Sequence, residues 1–271
     1  MKDFPNMPNY KIIEILGQGA FGSAYKVLNE ENNCIYAIKK IKLNDVKNEA
    51  EILSILNSEN IVKYFDSFED NESFNIIMEY CDGLDLRKYI NDHKNSNSNN
   101  FIEKDVVYHI ILEICKGLKE IHKKNLIHRD LKPDNIFLTA DLKVKIGDFG
   151  LSKQLNNVNE YAQTQVGSLI YMAPEIINKK KCNNKVDIWS LVCIIHELCT
   201  LNFCFESPSI KELITKIIEC KHEKINKNIY GDGLQKLIDS LLNIDYSKRP
   251  NIDEIIKIVY FNIGTLTLIK L

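Results

Sequence analysis

The 271-residue sequence has no Cys-x-x-Cys pair, no apolar run of about 18 residues such as a spanning helix needs, and no excess of either charge. Each absence excludes a class of protein. Eight cysteines without zinc spacing, several in apolar runs such as "LVCIIHELC", read as reduced and buried thiols in place of a disulfide framework. Thirty-five basic and 37 acidic side chains leave a formal charge of −2, so no whole-chain field draws the protein to nucleic acid or a membrane surface. The opening "MKDFPNMPNY" has two prolines and no apolar leader core. The expectation is an unprocessed, cytoplasmic or nuclear chain without repeats.

What is present changes character along the chain. "YKIIEILGQG", "GSAYKVLNE" and "CIYAIKKIKL" are short β-branched segments broken by glycine or by the turn at Asn32 and Asn33, which predicts hairpins. "NDVKNEAEILSILN" switches to helical spacing behind a cap at Asn44 or Asp45, and "IVKYFDSFED" and "SFNIIMEY" return to strand. From Gly83 onward helices dominate, in "FIEKDVVYHIILEICKGLKEIHKK", "KVDIWSLVCIIHELCT", "SIKELITKIIEC" and "GLQKLIDSLLN". The polar tract "HKNSNSNN" reads as a surface loop. The fold class expected is α+β and bilobal. A small β-rich lobe over about 8–80 and a hinge over 79–83 precede a larger α-helical lobe over about 84–262 and a short extension at 263–271, all within one domain.

The chemistry-bearing residues fall into a few short stretches. "GQGAFG" sets Gly17, Gly19 and Gly22 between two strands, where backbone without Cβ atoms can approach phosphate oxygens closely. No helix follows the glycines, so the dinucleotide-fold reading fails and a glycine hairpin over a nucleotide fits better. Lys39 on the next strand suits polyanionic phosphate if an acidic partner such as Glu49 fixes it. "KIGDFG" ends an apolar strand in Asp148, an awkward place for a carboxylate unless it meets a cation. With the amide of Asn135 it suits Mg²⁺, which takes few carboxylates alongside phosphate oxygens and water. In "IHRDLKPDNIFL", Asp130 then stands near an incoming hydroxyl, and Lys132 offsets charge on the transferred group.

The ordered set "GQGAFG", "YAIKK", "HRDLKPDN", "DFG", "YMAPE" and "DIWS" closely resembles the eukaryotic protein kinase family over roughly residues 8–260. The resemblance implies ATP and Mg²⁺ as cofactors and a protein substrate. It makes Asp130 the catalytic base, Lys132 and Asn135 its loop partners, Asn135 and Asp148 the metal ligands, and Lys39 with Glu49 the activating ion pair. It also implies adenine between Ala24, Ala37 and Phe137, with Met78 as gatekeeper and the backbone of Glu79 and Cys81 bonding the base. Lys132 two residues after Asp130 is the serine/threonine pattern, and Ser168 takes the place of the residue bridging the catalytic Asp and Lys.

Within that family the chain looks most like the NIMA-related (Nek) kinases. Ala24 above the adenine, "MEYCDGLDL", "NNKVDIW" and "ELCTLNFCFESPSIKELITKII" carry the likeness. The kinases of translation initiation factor 2 alpha are the alternative, although the insert usual in their small lobe is missing between residues 66 and 74; a kinase-fold scaffold with weak activity is another. Only nine residues lie between Lys39 and Glu49, which implies a shortened helix and leaves Glu51 the poorer partner. Val192 stands where a glycine is common. Arg129 offers a dock for a phosphorylated segment, with Thr164 first and Ser168 and Tyr161 behind it. Glu175 and Arg249 are expected to form a buried structural pair. His128 is expected in the core, bonded to backbone.

Overall fold

The computed structural model describes residues 9–19, 22–42, 47–70, 73–96, 101–154 and 169–269. The expected cap at Asn44 or Asp45 and the residues Tyr161, Thr164 and Ser168 lie outside them.

The amino-terminal lobe is a five-stranded antiparallel sheet in the order β1-β2-β3-β5-β4. Its strands are β1 (Tyr10–Gly19), β2 (Gly22–Asn29), β3 (Cys34–Lys42), β4 (Tyr64–Glu69) and β5 (Ser73–Glu79). The β2–β3 turn is built by Asn29, whose Oδ1 accepts from the N–H groups of Glu31 and Asn32, and by Asn33 at φ 55°. Directly opposed residues share a face of an antiparallel pair. The registers Ala24↔Lys39, Ala37↔Met78 and Lys39↔Ile76 therefore put Ala24, Ala37, Lys39 and Met78 on one face. Val27, Ile38 and Ile77 pack together on the other, beneath Tyr10, Ile12, Tyr25, Tyr36 and Phe68. Helix α1 (Lys47–Ile55) carries Ala50, Ile52 and Leu53 into the main core and has Glu49 in its first turn.

The second lobe is helical. It comprises α2 (Leu86–Asn95), α3 (Lys104–Lys123), the single turn α4 (Pro174–Ile177), α5 (Lys185–Thr200), α6 (Ile210–Ile218), α7 (Lys227–Leu241) and α8 (Ile252–Ile269). α7 breaks at Gly231, where φ 78° and ψ 171° favour glycine. α5 is apolar around nearly its whole circumference and fully buried from Val186 to Cys199, the pattern of a helix at the centre of a domain. Between α3 and α5 run the two-residue strand β6 (Leu126–Ile127), the hairpin β7 (Ile136–Leu138) with β8 (Val144–Ile146), and β9 (Lys153–Gln154), which pairs with β6.

Two expectations need correction. "HKNSNSNN" does not begin as a loop: His93, Lys94 and Asn95 finish α2, which Asp85 opens by accepting the N–H of Lys88 at 2.7 Å. The thiols are not uniformly buried: Cys115, Cys193, Cys199 and Cys204 are, whereas Cys34 is exposed at the start of β3.

Candidate active site

The site lies where the Lys39 face of the sheet meets the β7–β8 hairpin. Gly19 and Gly22 are opposed at the end of the β1–β2 ribbon. Only Gly22 is demanded by the chain's own backbone: its φ is 141°, and a Cβ there would stand 2.0 Å from the carbonyl oxygen of Lys40. Among the described residues, a Cβ on Gly17 or Gly19 would meet nothing within 4 Å. Their bare backbone thus leaves room on the open side of the flap.

Below the flap, Lys39 Nζ donates to both carboxylate oxygens of Glu49 at 2.8 Å and to Asp148 Oδ1 at 2.7 Å. One ammonium thus ties β3, α1 and the segment after β8. Burial works against its charge, but the two carboxylates outweigh that and hold its pKa above the ordinary lysine value. Burial likewise pushes Asp148 up, yet Lys39 beside it keeps the carboxyl below the usual aspartate range. Glu51 is exposed and two positions round the helix, so Glu49 takes the contact.

The second cluster belongs to the loop between β6 and β7. Asp130 Oδ2 accepts from Lys132 Nζ at 2.7 Å and from Asn135 Nδ2 at 3.1 Å, while Asn135 Nδ2 also donates to the Asp130 carbonyl at 2.8 Å. Two links join this cluster to the first. The N–H of Gly147 donates to the carbonyl of Asn135 at 3.0 Å, next to the Ile136↔Ile146 pair, so Asn135 is set beside the residue preceding Asp148. His128, wholly buried, meets the carbonyl of Gly147 through Nε2 at 3.0 Å and packs on Phe149 with ring centroids 4.9 Å apart.

Sequence reasoning missed the support under this loop. Asp187, at the start of α5 and fully buried, accepts from the N–H groups of His128 and Arg129 at 3.0 Å each and pairs with His122 Nε2 at 2.9 Å. Burial raises its pKa, but the His122 contact and the backbone donors prevail and lower it. The Arg129 bond secures a left-handed backbone of φ 70° that an arginine does not adopt unaided. "DIWS" was legible as a motif, but the partners of its aspartate lie 58 to 65 residues upstream. Arg87 was missed as well: it donates to Glu197 and Tyr171 and, at 3.4 Å, to Asp134.

At the hinge, the Glu79 N–H donates to Lys63 O at 2.9 Å, and the Gly83 N–H to Leu138 O at 3.1 Å. Among the described residues Cys81 makes no backbone hydrogen bond. Burial, reinforced by Glu79, pushes its thiol up to about 12. Ala24, Ala37, Met78 and Phe137 are all half-buried around this edge. Phe137 packs so tightly on Gly147 that a Cβ there would come 2.8 Å from its ring.

The donor set fits a hard divalent cation. Among the described residues no three His, Cys, Asp or Glu side chains gather as a metal cluster, but Asp148 and Asn135 offer a carboxylate and an amide oxygen. Mg²⁺ characteristically adds phosphate oxygens and water to so few protein ligands.

Comparison with known proteins agrees with this geometry. Residues 10–261 match the protein kinase domain. The chain belongs to the protein kinase family. Protein kinases as a family use ATP and Mg²⁺, and relatives of this kinase domain are Nek kinases. It is 36% identical to the serine/threonine-protein kinase Nek1 of Mus musculus, over 93% of this chain and 21% of that protein. It is 39% identical to Nek3 of Mus musculus, over 90% of this chain and 48% of the relative. Against Nek2 of Homo sapiens the identity is 34%, over 92% and 59% respectively. The kinase domain thus spans between 21% and 59% of the length of these relatives. The reading as an initiation-factor kinase is not favoured. No helix among the described residues is long and apolar enough to cross a membrane.

Proposed function

We propose that this chain is a Mg-ATP-dependent serine/threonine protein kinase of Nek type, one catalytic domain that moves the γ-phosphoryl group of ATP to a hydroxyl of a protein. The observation that carries the reading is the Gly147-to-Asn135 bond, which brings the Asp130–Lys132–Asn135 loop beside the Lys39–Glu49–Asp148 cluster. Adenine lies between Ala24, Ala37 and Phe137, beside Met78, with the backbone of Glu79 and Cys81 as its hydrogen-bond edge. The flap at Gly17, Gly19 and Gly22 covers the phosphates, and Lys39, steadied by Glu49, grips them.

Asp130 receives the proton of the acceptor hydroxyl as that oxygen bonds to the γ-phosphorus and the bond to the β-bridging oxygen breaks, leaving ADP. Lys132, already against Asp130, offsets charge on the moving group. Asp148 and Asn135 would hold Mg²⁺, which when bound neutralises phosphate charge. No charged position of this set is replaced, which weighs against a scaffold without activity.

A regulatory role for Arg129 follows from its environment. Its guanidinium has only a sulfur contact, to Cys182 at 3.9 Å, and its buried Nε has no partner among the described residues. Phosphorylated Thr164 would supply the missing acceptors.

The test is transfer of labelled phosphate from ATP with Mg²⁺ to serine- and threonine-containing peptide arrays, by the wild-type chain and Asp130→Asn. Transfer to hydroxyl peptides that vanishes in the variant supports the reading. Equal signal from both proteins, or nucleotide binding without transfer in either, overturns it.

A further inference from the structure

A second concave surface lies where the start of α5 meets the 246–250 turn and α8. Its volume is about 760 Å³, and it is lined by Lys185 at the start of α5, by Lys248 in the 246–250 turn, and by Glu254 and Lys257 on α8. Lys185 is half-buried; Lys248 and Lys257 are exposed.

The charges in this cleft do not cancel. Three other lysines of the lobe meet carboxylates: Lys116 at Glu113 (2.7 Å), Lys119 at Asp253 (2.6 Å) and Lys224 at Asp239 (2.6 Å). Among the described residues neither Lys185 nor Lys257 has a carboxylate within 4.0 Å. Lys185 instead spends its ammonium on the carbonyl of Arg249 at 2.5 Å. Lys248 reaches Asp245 only at 3.9 Å, with both side chains about half exposed or more, a weak pair in water. Arg249 contributes no free charge, because Glu175 takes its guanidinium at 2.7 and 2.8 Å. The lone acid of the lining, Glu254, is turned to the N–H of Asn251 at 2.7 Å. Three lysines therefore line a concave surface that carries one carboxylate, engaged by the N–H of Asn251.

We propose that this cleft binds a phosphate dianion, with Lys185 at its floor and Lys248 and Lys257 at its rim. A dianion supplies acceptors that the carbonyl of Arg249 alone does not, and charge-assisted contacts are about twice as strong as neutral ones. Burial, the largest influence, lowers the pKa of Lys185; Glu254 opposes that shift and Arg249 adds to it, so an anion there would support a partly buried cation alongside Glu254. The phosphate could arrive free or on a phosphorylated side chain.

The experiment is a titration of the intact chain, with its lysine side chains resolved by NMR, using inorganic phosphate, a short phosphoserine peptide and the same peptide unphosphorylated. Resonances of Lys185 and Lys257 should move saturably with both phosphate-bearing probes, while Lys143 and Lys221, exposed and paired with carboxylates, stay still. Lys39 reports separately on phosphate entering the nucleotide site. The double variant Lys185→Gln/Lys257→Gln should weaken binding at least about tenfold, equivalent to about 1.4 kcal/mol. Lys185→Arg, which keeps the charge, should retain most of it. A response to inorganic phosphate but not to the peptide keeps the site and assigns it to the free anion. Equal movement at all exposed lysines, no movement at Lys185, or unchanged affinity in a double variant that unfolds at the wild-type temperature overturns the proposal.

Discussion

Two ion pairs of nearly the same geometry stand in the two lobes. Lys39 meets both oxygens of Glu49 at 2.8 Å, and Arg249 meets both oxygens of Glu175 at 2.7 and 2.8 Å. Their surroundings separate them. Arg249 is completely buried and makes four hydrogen bonds: besides those to Glu175, its Nε donates to Asn243 O and its Nη1 to Lys185 O, and its face lies 4.9 Å from the centre of the Trp189 ring. Lys39 has a second carboxylate, Asp148, whose side chain is 42% exposed, and it faces the open side of the glycine flap. A sealed pair fixes a segment, here α4. A pair with spare ionic capacity at a cleft is equipped to hold something else.

The contrast can be broken by substitution, beginning with the loop that works beside the open pair. Asp130→Asn should lower phosphoryl transfer by about 10²–10⁴-fold, as expected for loss of a general base, with thermal unfolding unchanged. On the sealed side, Arg249→Met leaves the Glu175 carboxylate buried and alone. That should cost about 3–5 kcal/mol of stability, read from denaturant unfolding. Asp187→Asn falls between the two kinds of site. Weakening its charged contacts to the His128 and Arg129 N–H groups should cost about 1.5–3 kcal/mol and reduce kcat more than the KM for ATP.

Much of this was visible before the structure, for a physical reason. Glycine hairpin, strand lysine and acidic strand end are each required by local chemistry, so Gly22, Lys39 and Asp148 could be picked out from spacing and residue type. Helix α2 could not, because only Leu86 and Ile90 of its ten residues are buried. The supports were hidden too. Asp187, His122, Arg87 and Glu197 act through contacts that cross 58 to 110 residues of chain, and no short pattern encodes such partners. A sequence names the groups that do chemistry more readily than the groups that hold them.

The smallest expected effect sharpens the comparison from the side of pH. The pKa of Asp148 is depressed, so its contribution to stability is fully present above the ordinary aspartate value of about 3.9 and is lost as pH falls through the depressed value. Lys39 has the opposite sign: its raised pKa contributes fully below about 10.4 and is lost as pH rises through the folded value. Unfolding curves of wild type and Asp148→Asn should therefore differ by a constant amount between about pH 5 and 9, with the difference changing in acid as Asp148 protonates and again in strong base as Lys39 loses its proton.

The most direct measurement pairs thermal unfolding with phosphoryl transfer in Lys39→Met and Arg249→Met. The open-and-sealed account predicts a crossing. Lys39→Met leaves Glu49 buried without its cation but Asp148 partly solvated, so it should lose less stability than Arg249→Met while its folded fraction transfers almost no phosphate. Arg249→Met should unfold well below the wild-type temperature and keep activity in whatever fraction stays folded. If Lys39→Met instead loses as much stability as Arg249→Met while its folded fraction transfers phosphate normally, Lys39 is a structural residue and the assignment of the cleft fails.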